Sequence, residues 1–297
     1  MTRRPSRRAL MLGGLGVGAA GVAAAAVGVQ EGVLPGRPWV QETLGLNGEP
    51  GRVPEAAPGR VANGSFVSAA RGGVRTGWSI AYPPGASADL RVLVVLHGLG
   101  NDHHSAMSPH LGLDRFLAAG VRAGLRPFAI ASVDGGTTYW HRRPDGEDAG
   151  AMVLEEFVPL LRGRGLDTRR IGLLGWSMGG YGALRLGALL GSNACACVLA
   201  ESPALWTDGE SASTSGFRDA EEYAEFTVLG HQEQLDGIPV RIDCGTGDPF
   251  YRATQEYVDG FPRDHPPAAR FQPGAHDMAY WRRMAPAQLR FVGRHLA

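Results

Sequence analysis

The stretch Ile171-Gly172-Leu173-Leu174-Gly175-Trp176-Ser177-Met178-Gly179-Gly180 decides how this chain is read. An apolar run of strand type stops at Gly175, Ser177 follows after one residue, and a glycine pair stands beyond Met178. The pattern is G-x-S-x-G, with its serine on a sharp turn between a strand and a helix. Such a serine takes a strained backbone conformation, and side chains at the flanking positions would collide across the turn, so glycines are needed there. Five residues are a weak signal in a chain with 44 glycines. The surroundings supply the context, because the helix-type run Tyr181-Gly182-Ala183-Leu184-Arg185-Leu186 comes next. In this reading the Ser177 hydroxyl is exposed at a sheet edge and the Met178 N–H faces a developing oxyanion.

Outward from the elbow, strand-like and helix-like segments alternate. Strands are predicted at Ser65–Ala70, Val74–Tyr82, Arg91–Leu96, Phe128–Val133, Arg170–Leu174, Ala196–Ala200, Val240–Cys244 and Ala269–Gln272. Helices are predicted at Leu113–Ala123, Met152–Leu161, Ser177–Leu190, Thr254–Gly260 and Met278–His295. The glycine turn Arg71-Gly72-Gly73 joins the first two strands as an antiparallel hairpin. Later strands separated by helices require crossovers and a mostly parallel sheet. Eight strands with an antiparallel start and helices on both faces fit the α/β-hydrolase fold. The polar, poorly periodic segment 203–236 is read as a small cap, and the catalytic domain as residues 60–297.

An acyl-transfer serine needs a base, an acid to orient the base, and a second oxyanion donor. In hydrolase chain order the acid and then the base follow the serine. Four histidines qualify: His231, His265, His276 and His295. His276 is chosen because Pro273-Gly274-Ala275-His276-Asp277 lies between the last strand and the final helix. Asp248 is chosen as the acid, in the loop Gly245-Thr246-Gly247-Asp248-Pro249 beyond a strand. Asp243 competes from within that strand, and Asp236 precedes it at the wrong end. The second donor is the Leu99 N–H, from the glycine turn His97-Gly98-Leu99-Gly100, paired with that of Met178. His97 precedes the serine and is read as bracing this loop. Trp140, His141 and Arg142 stand between the fourth strand and its helix, on the Ser177 edge. They are candidates for binding sugar or an anionic group, against the plainer reading of a surface loop.

Composition narrows the chemistry. With 297 residues there is room for one large α/β domain or two small ones. The formal net charge is zero, which gives no reason to expect nucleic acid. All 29 basic residues are arginines. With no lysine, Schiff-base chemistry, Ser–Lys dyads and a P-loop lysine are excluded. The alternation Cys195-Ala196-Cys197 predicts two buried free thiols on one face of a strand. The pair His103-His104 has no cysteine or spaced carboxylate set around it, and no metal or cofactor is implied.

The N-terminus is organised differently. Arg7-Arg8 stands before an apolar, Gly/Ala-rich stretch that runs to about Val29. Residues 1–30 are read as a twin-arginine type export signal, with a single N-terminal membrane anchor as the alternative, since about 20 apolar residues span a bilayer. Membrane contact is expected only through this segment, if it is uncleaved. Residues 31–59, rich in Pro and Gly, read as a linker or an arm on the domain surface.

The spaced set Leu96-His97-Gly98-Leu99, Gly175-Trp176-Ser177-Met178-Gly179-Gly180-Tyr181-Gly182-Ala183, Gly245-Thr246-Gly247-Asp248 and Gly274-Ala275-His276-Asp277 resembles an esterase family of the α/β-hydrolases. That family includes esterase D (S-formylglutathione hydrolase) and the antigen 85 mycolyltransferases. The resemblance covers about residues 60–297. It implies a Ser177–Asp248–His276 triad, with Leu99 and Met178 as oxyanion donors, and leaves the acyl group open. At the elbow Gly179-Gly180-Tyr181 departs from the alanine- and serine-rich turn of antigen 85. The expectation is an exported serine esterase acting on a small-molecule, lipid or sugar ester. Its alternatives are an acyltransferase to a sugar or lipid alcohol of the envelope, and a non-catalytic envelope binding protein on the same fold.

Overall fold

The computed structural model of the chain describes residues 36–85 and 89–296. The export signal or anchor read over residues 1–30 lies outside the described residues, as does the start of the following arm. Eight strands form one sheet: β1 (Val61–Ser68), β2 (Val74–Ala81), β3 (Arg91–Leu96), β4 (Ala129–Val133), β5 (Asp167–Trp176), β6 (Cys195–Glu201), β7 (Val240–Gly245) and β8 (Ala268–Gln272). Their spatial order is β1-β2-β4-β3-β5-β6-β7-β8. β1 and β2 pair antiparallel, β2 pairs antiparallel with β4, and every later neighbour is parallel.

The helices are α1 (Arg37–Thr43), α2 (Leu113–Arg122), α3 (149–163), α4 (Met178–Ala194), α5 (Ala220–Phe226), α6 (Tyr251–Asp259) and α7 (Met278–His295). α3 passes through a π-helical stretch at Met152–Phe157. One core cluster packs α3, α4 and α6 on one face of the sheet, and a second packs α2 and α7 on the other. Covered on both sides, β3 is apolar without alternation. Val92 to Leu96 are all fully buried, and each such side chain stabilises the fold by about 1.5–3 kcal/mol.

Three local readings need correction. β1 starts at Val61 rather than Ser65, because Asn63 and Gly64 continue the strand: Gly64 lies against the Trp78 indole, and Asn63 Oδ1 accepts from Ser79 Oγ. Cys195 and Cys197 are buried free thiols, yet they do not share a face. The register of β6 against β5 slips between Cys195 and Cys197, so Cys195 packs in the first cluster while Ala196 and Cys197 both pack in the second. The arm also holds a helix, α1, whose Gln41 is buried and whose Oε1 accepts from Thr246 Oγ1 at 3.2 Å. Among the described residues no helix is long and apolar enough to cross a membrane.

Candidate active site

β5 delivers Ser177 and α4 leaves from it. The serine sits at φ 55°, ψ −121°, a conformation that L-residues avoid unless the surroundings impose it. The impositions are visible. Ser177 N donates to Glu201 O at 3.0 Å, and Ser177 O accepts from Ala204 N at 2.9 Å and from Tyr181 N at 3.1 Å. Gly179 lets α4 close onto β3, since a Cβ there would stand 2.0 Å from Leu96 O.

The serine is the end of a relay. Ser177 Oγ donates to His276 Nε2 at 2.9 Å, and His276 Nδ1–H donates to Asp248 Oδ2 at 2.8 Å. The other Asp248 oxygen accepts from Phe250 N at 2.9 Å. Asp248 is buried, whereas the His276 side chain remains 25% exposed. Acid and base come from loops beyond β7 and β8, and the Gly247 N–H donates to Gly274 O at 2.8 Å to hold the two loops in register. Asp277 caps α7 by accepting from Tyr280 N at 2.8 Å, which fixes where the base loop ends. The structure therefore brings together the three residues chosen from the sequence.

The turn after β3 lies against the nucleophile. A Cβ on Gly98 would stand 3.3 Å from Ser177 Cβ, so the turn that leads into Leu99 packs directly on the nucleophile. His97 is fully buried and holds this turn: Nε2 accepts from Gly135 N at 2.9 Å and Nδ1–H donates to Gly98 O at 2.9 Å. Burial depresses its pKa below the ordinary histidine value, in keeping with a neutral ring whose nitrogens are both engaged. Trp176 Nε1 donates to Asn101 Oδ1 at 3.0 Å and braces the same turn.

Of the three candidate substrate-binding residues, two are interior. Trp140 is fully buried, and His141 is 1% exposed. The His141 ring stacks between Phe217 and Phe226 at centroid distances of 5.2 and 4.4 Å, with its nitrogens on Gly216 O and Arg142 O. The sequence showed aromatics on the correct edge but not that the cap segment covers them. Arg142 alone is exposed. His103 is half-buried against Asp134, with Nδ1 to Oδ1 at 2.8 Å.

Asp243 has a structural place. Arg241 reaches it with two bonds of 2.8 Å, and Gln288 Nε2 adds one at 3.0 Å. Glu201 stands beside it in register, fully enclosed. Burial, and then the Asp243 charge, push the Glu201 carboxyl well above the ordinary range. Sequence reading missed the two rings that hold the base. Phe250 and Trp281 meet the His276 ring edge-on at 5.2 and 5.3 Å. The only cue is position: Phe250 follows Asp248-Pro249, and Trp281 lies one helical turn beyond Asp277.

Fold and geometry together define an α/β-hydrolase fold with a Ser–His–Asp hydrogen-bond relay at the carboxyl edge of its sheet. No family model matches the sequence, and no curated protein does. Solved structures share the fold. A ferulic acid esterase superposes with a TM-score of 0.70 at 18% identity, over 81% of this chain and 100% of its own. A ferulic acid esterase from Anaeromyces mucronatus, in complex with ferulic acid, gives 0.64 at 18% identity over 82% of this chain and 92% of its own. The S-formylglutathione hydrolase of Staphylococcus aureus gives 0.62 at 17% identity over 79% and 99%.

Proposed function

We propose that the protein is an exported serine hydrolase that cleaves a carboxylic ester through an acyl-enzyme. The relay from Ser177 Oγ through His276 to Asp248 carries this reading. Ser177 Oγ attacks the ester carbonyl carbon as its proton passes to His276 Nε2. Asp248 holds the Nδ1–H tautomer and stabilises the imidazolium. The oxyanion accepts from the N–H groups of Met178 and Leu99, each donor of this kind lowering the barrier by about 3 kcal/mol. Collapse expels the alcohol, which takes the proton from Nε2. Water, deprotonated by the same nitrogen, then attacks the acyl-enzyme and releases the acid. Hydrolysis is favoured over transfer because His276 is partly open to solvent, so water reaches the base. Export rests on the Arg7-Arg8 pair before the apolar stretch.

The test is labelling with a fluorophosphonate, followed by turnover of p-nitrophenyl esters of increasing chain length. The wild type is expected to label, and Ser177→Ala to lose both label and about 10⁴-fold or more in kcat/KM. Labelling that survives in Ser177→Ala defeats the nucleophile assignment. Turnover that climbs steeply with an added alcohol or sugar moves the reading to acyl transfer.

A further inference from the structure

The arm that precedes the sheet carries large apolar side chains left exposed among the described residues. Trp39, Leu44 and Leu46 are 69, 61 and 45% exposed, and they crowd into one short stretch around α1. Single exposed leucines are ordinary, but a tryptophan and two leucines exposed within one short stretch are more than that scatter. The inner side of the same helix is well held. Gln41 is buried on Thr246, and the Arg37 guanidinium lies 4.3 Å from the centre of the Tyr251 ring. The patch is thus presented on a docked element.

Its location matters. Thr246 and Gly247 lead directly into Asp248, and Asn47 Oδ1 would stand 2.4 Å from a Cβ on Gly247. The arm then crosses the start of α7, where Gly51 N donates to Ala279 O at 2.8 Å, close after His276. The arm therefore borders the sheet edge that holds Ser177. Leu99, 44% exposed, belongs to the same edge.

The sequence names the occupant. The apolar stretch ends at about Val29 and α1 is preceded by Gly36, a path of at most about 24 Å when fully extended. If that stretch enters a bilayer, Trp39, Leu44 and Leu46 are tethered within reach of the membrane–water interface. There a tryptophan buries its ring and keeps its N–H wet.

We propose that this face docks on a lipid bilayer, with Trp39, Leu44 and Leu46 inserted at headgroup depth and the Ser177 edge turned toward the lipid. On the esterase reading above, the ester it cleaves is carried in or on that bilayer. Glu42 lies within the stretch and Glu49 follows it, both exposed, so a zwitterionic surface suits it better than an anionic one.

Docking and catalysis are tested separately in the full-length protein. The three native cysteines are buried, so Leu44→Cys takes a polarity-sensitive fluorophore selectively, with Ala123→Cys at the opposite end of the sheet as control. Phosphatidylcholine vesicles are expected to blue-shift the probe at position 44 and leave that at 123 unchanged. A probe at 44 that ignores vesicles overturns the proposal. So does one already blue-shifted without them, since the patch would then be covered by the chain's own N-terminal segment or by a second copy. For catalysis, Trp39→Ser/Leu44→Ser/Leu46→Ser is expected to lose about tenfold or more on a long-chain ester in vesicles and to keep its rate on soluble p-nitrophenyl acetate. Equal loss on both substrates marks a structural defect and refutes interfacial docking. A wild type that docks but hydrolyses neither ester overturns the esterase reading and leaves the docking face intact.

Discussion

Glu201 is a carboxyl group that the fold encloses at the very edge where charge matters. Its backbone oxygen holds Ser177 N, while its side chain lies beside Asp243 with Oε1 unpartnered. Burial and the neighbouring carboxylate raise its pKa. The native state therefore keeps a proton that the unfolded chain releases near pH 4.3. Between that value and the raised native one, the folded form binds more protons, so stability falls as pH rises. Glu201→Gln removes this titration without changing shape. Thermal melts of variant and wild type are expected to coincide at and below the ordinary glutamate pKa, and above it the variant gains a lead that widens with pH until the raised native value is reached. Asp243, held by Arg241 in both proteins, largely cancels in the comparison. A lead of constant size across this range would falsify a protonated Glu201.

At the scale of elements, the cap and the loop after β4 act as a latch. His141 sits between Phe217 and Phe226, and Arg143 pairs with Glu222 at 3.3 Å and bonds Gly216 O. Removing the ring leaves a cavity and takes away one of the two hydrogen bonds on the Gly216 carbonyl, so His141→Ala is expected to lose about 2–4 kcal/mol. Limited proteolysis should then cut within residues 203–236 before any other region, and unchanged cleavage would show that the cap holds without the latch. This latch was illegible in the sequence, because stacking between distant segments leaves no periodic trace. What was legible followed from local rules. β3 and α7 fall where their apolar patterns place them, and the Ser177 relay follows from glycine turns that each come after a strand. The misreadings share one cause, tertiary context overriding local pattern. α1 is too short to form on propensity alone and rests on Thr246 and Tyr251, while the slip at Cys195–Cys197 reverses a face that alternation assigns correctly in a regular strand.

At the scale of the whole molecule, the arm joins the beginning of the described chain to its final helix and so braces the base from outside. Gly51 N donates to Ala279 O at 2.8 Å, Arg282 Nε returns a bond to Gly51 O at 2.9 Å, and Arg283 Nη1 reaches Glu49 O at 2.7 Å. These contacts grip the first turns of α7, directly after the loop that carries His276. The Gly247–Gly274 bond restrains that loop from inside the sheet, so the histidine is held on two sides by segments far apart in sequence. Gly51 is the point of closest approach, where an added Cβ would stand 2.1 Å from Arg283 N. The contact is backbone against backbone and cannot be relieved by a rotamer change, so Gly51→Ala must lift the arm. A loss of about 1–3 kcal/mol is expected, with faster amide exchange in the first turns of α7 and slower exchange unaltered in β3 and β5. Because a loosened His276 accepts the serine proton less often in the right geometry, kcat on a soluble ester and the rate of fluorophosphonate labelling should fall together while KM stays near the wild-type value. Lifted arm contacts with undiminished kcat would mean that the inner restraint suffices and that the arm serves the bilayer face alone.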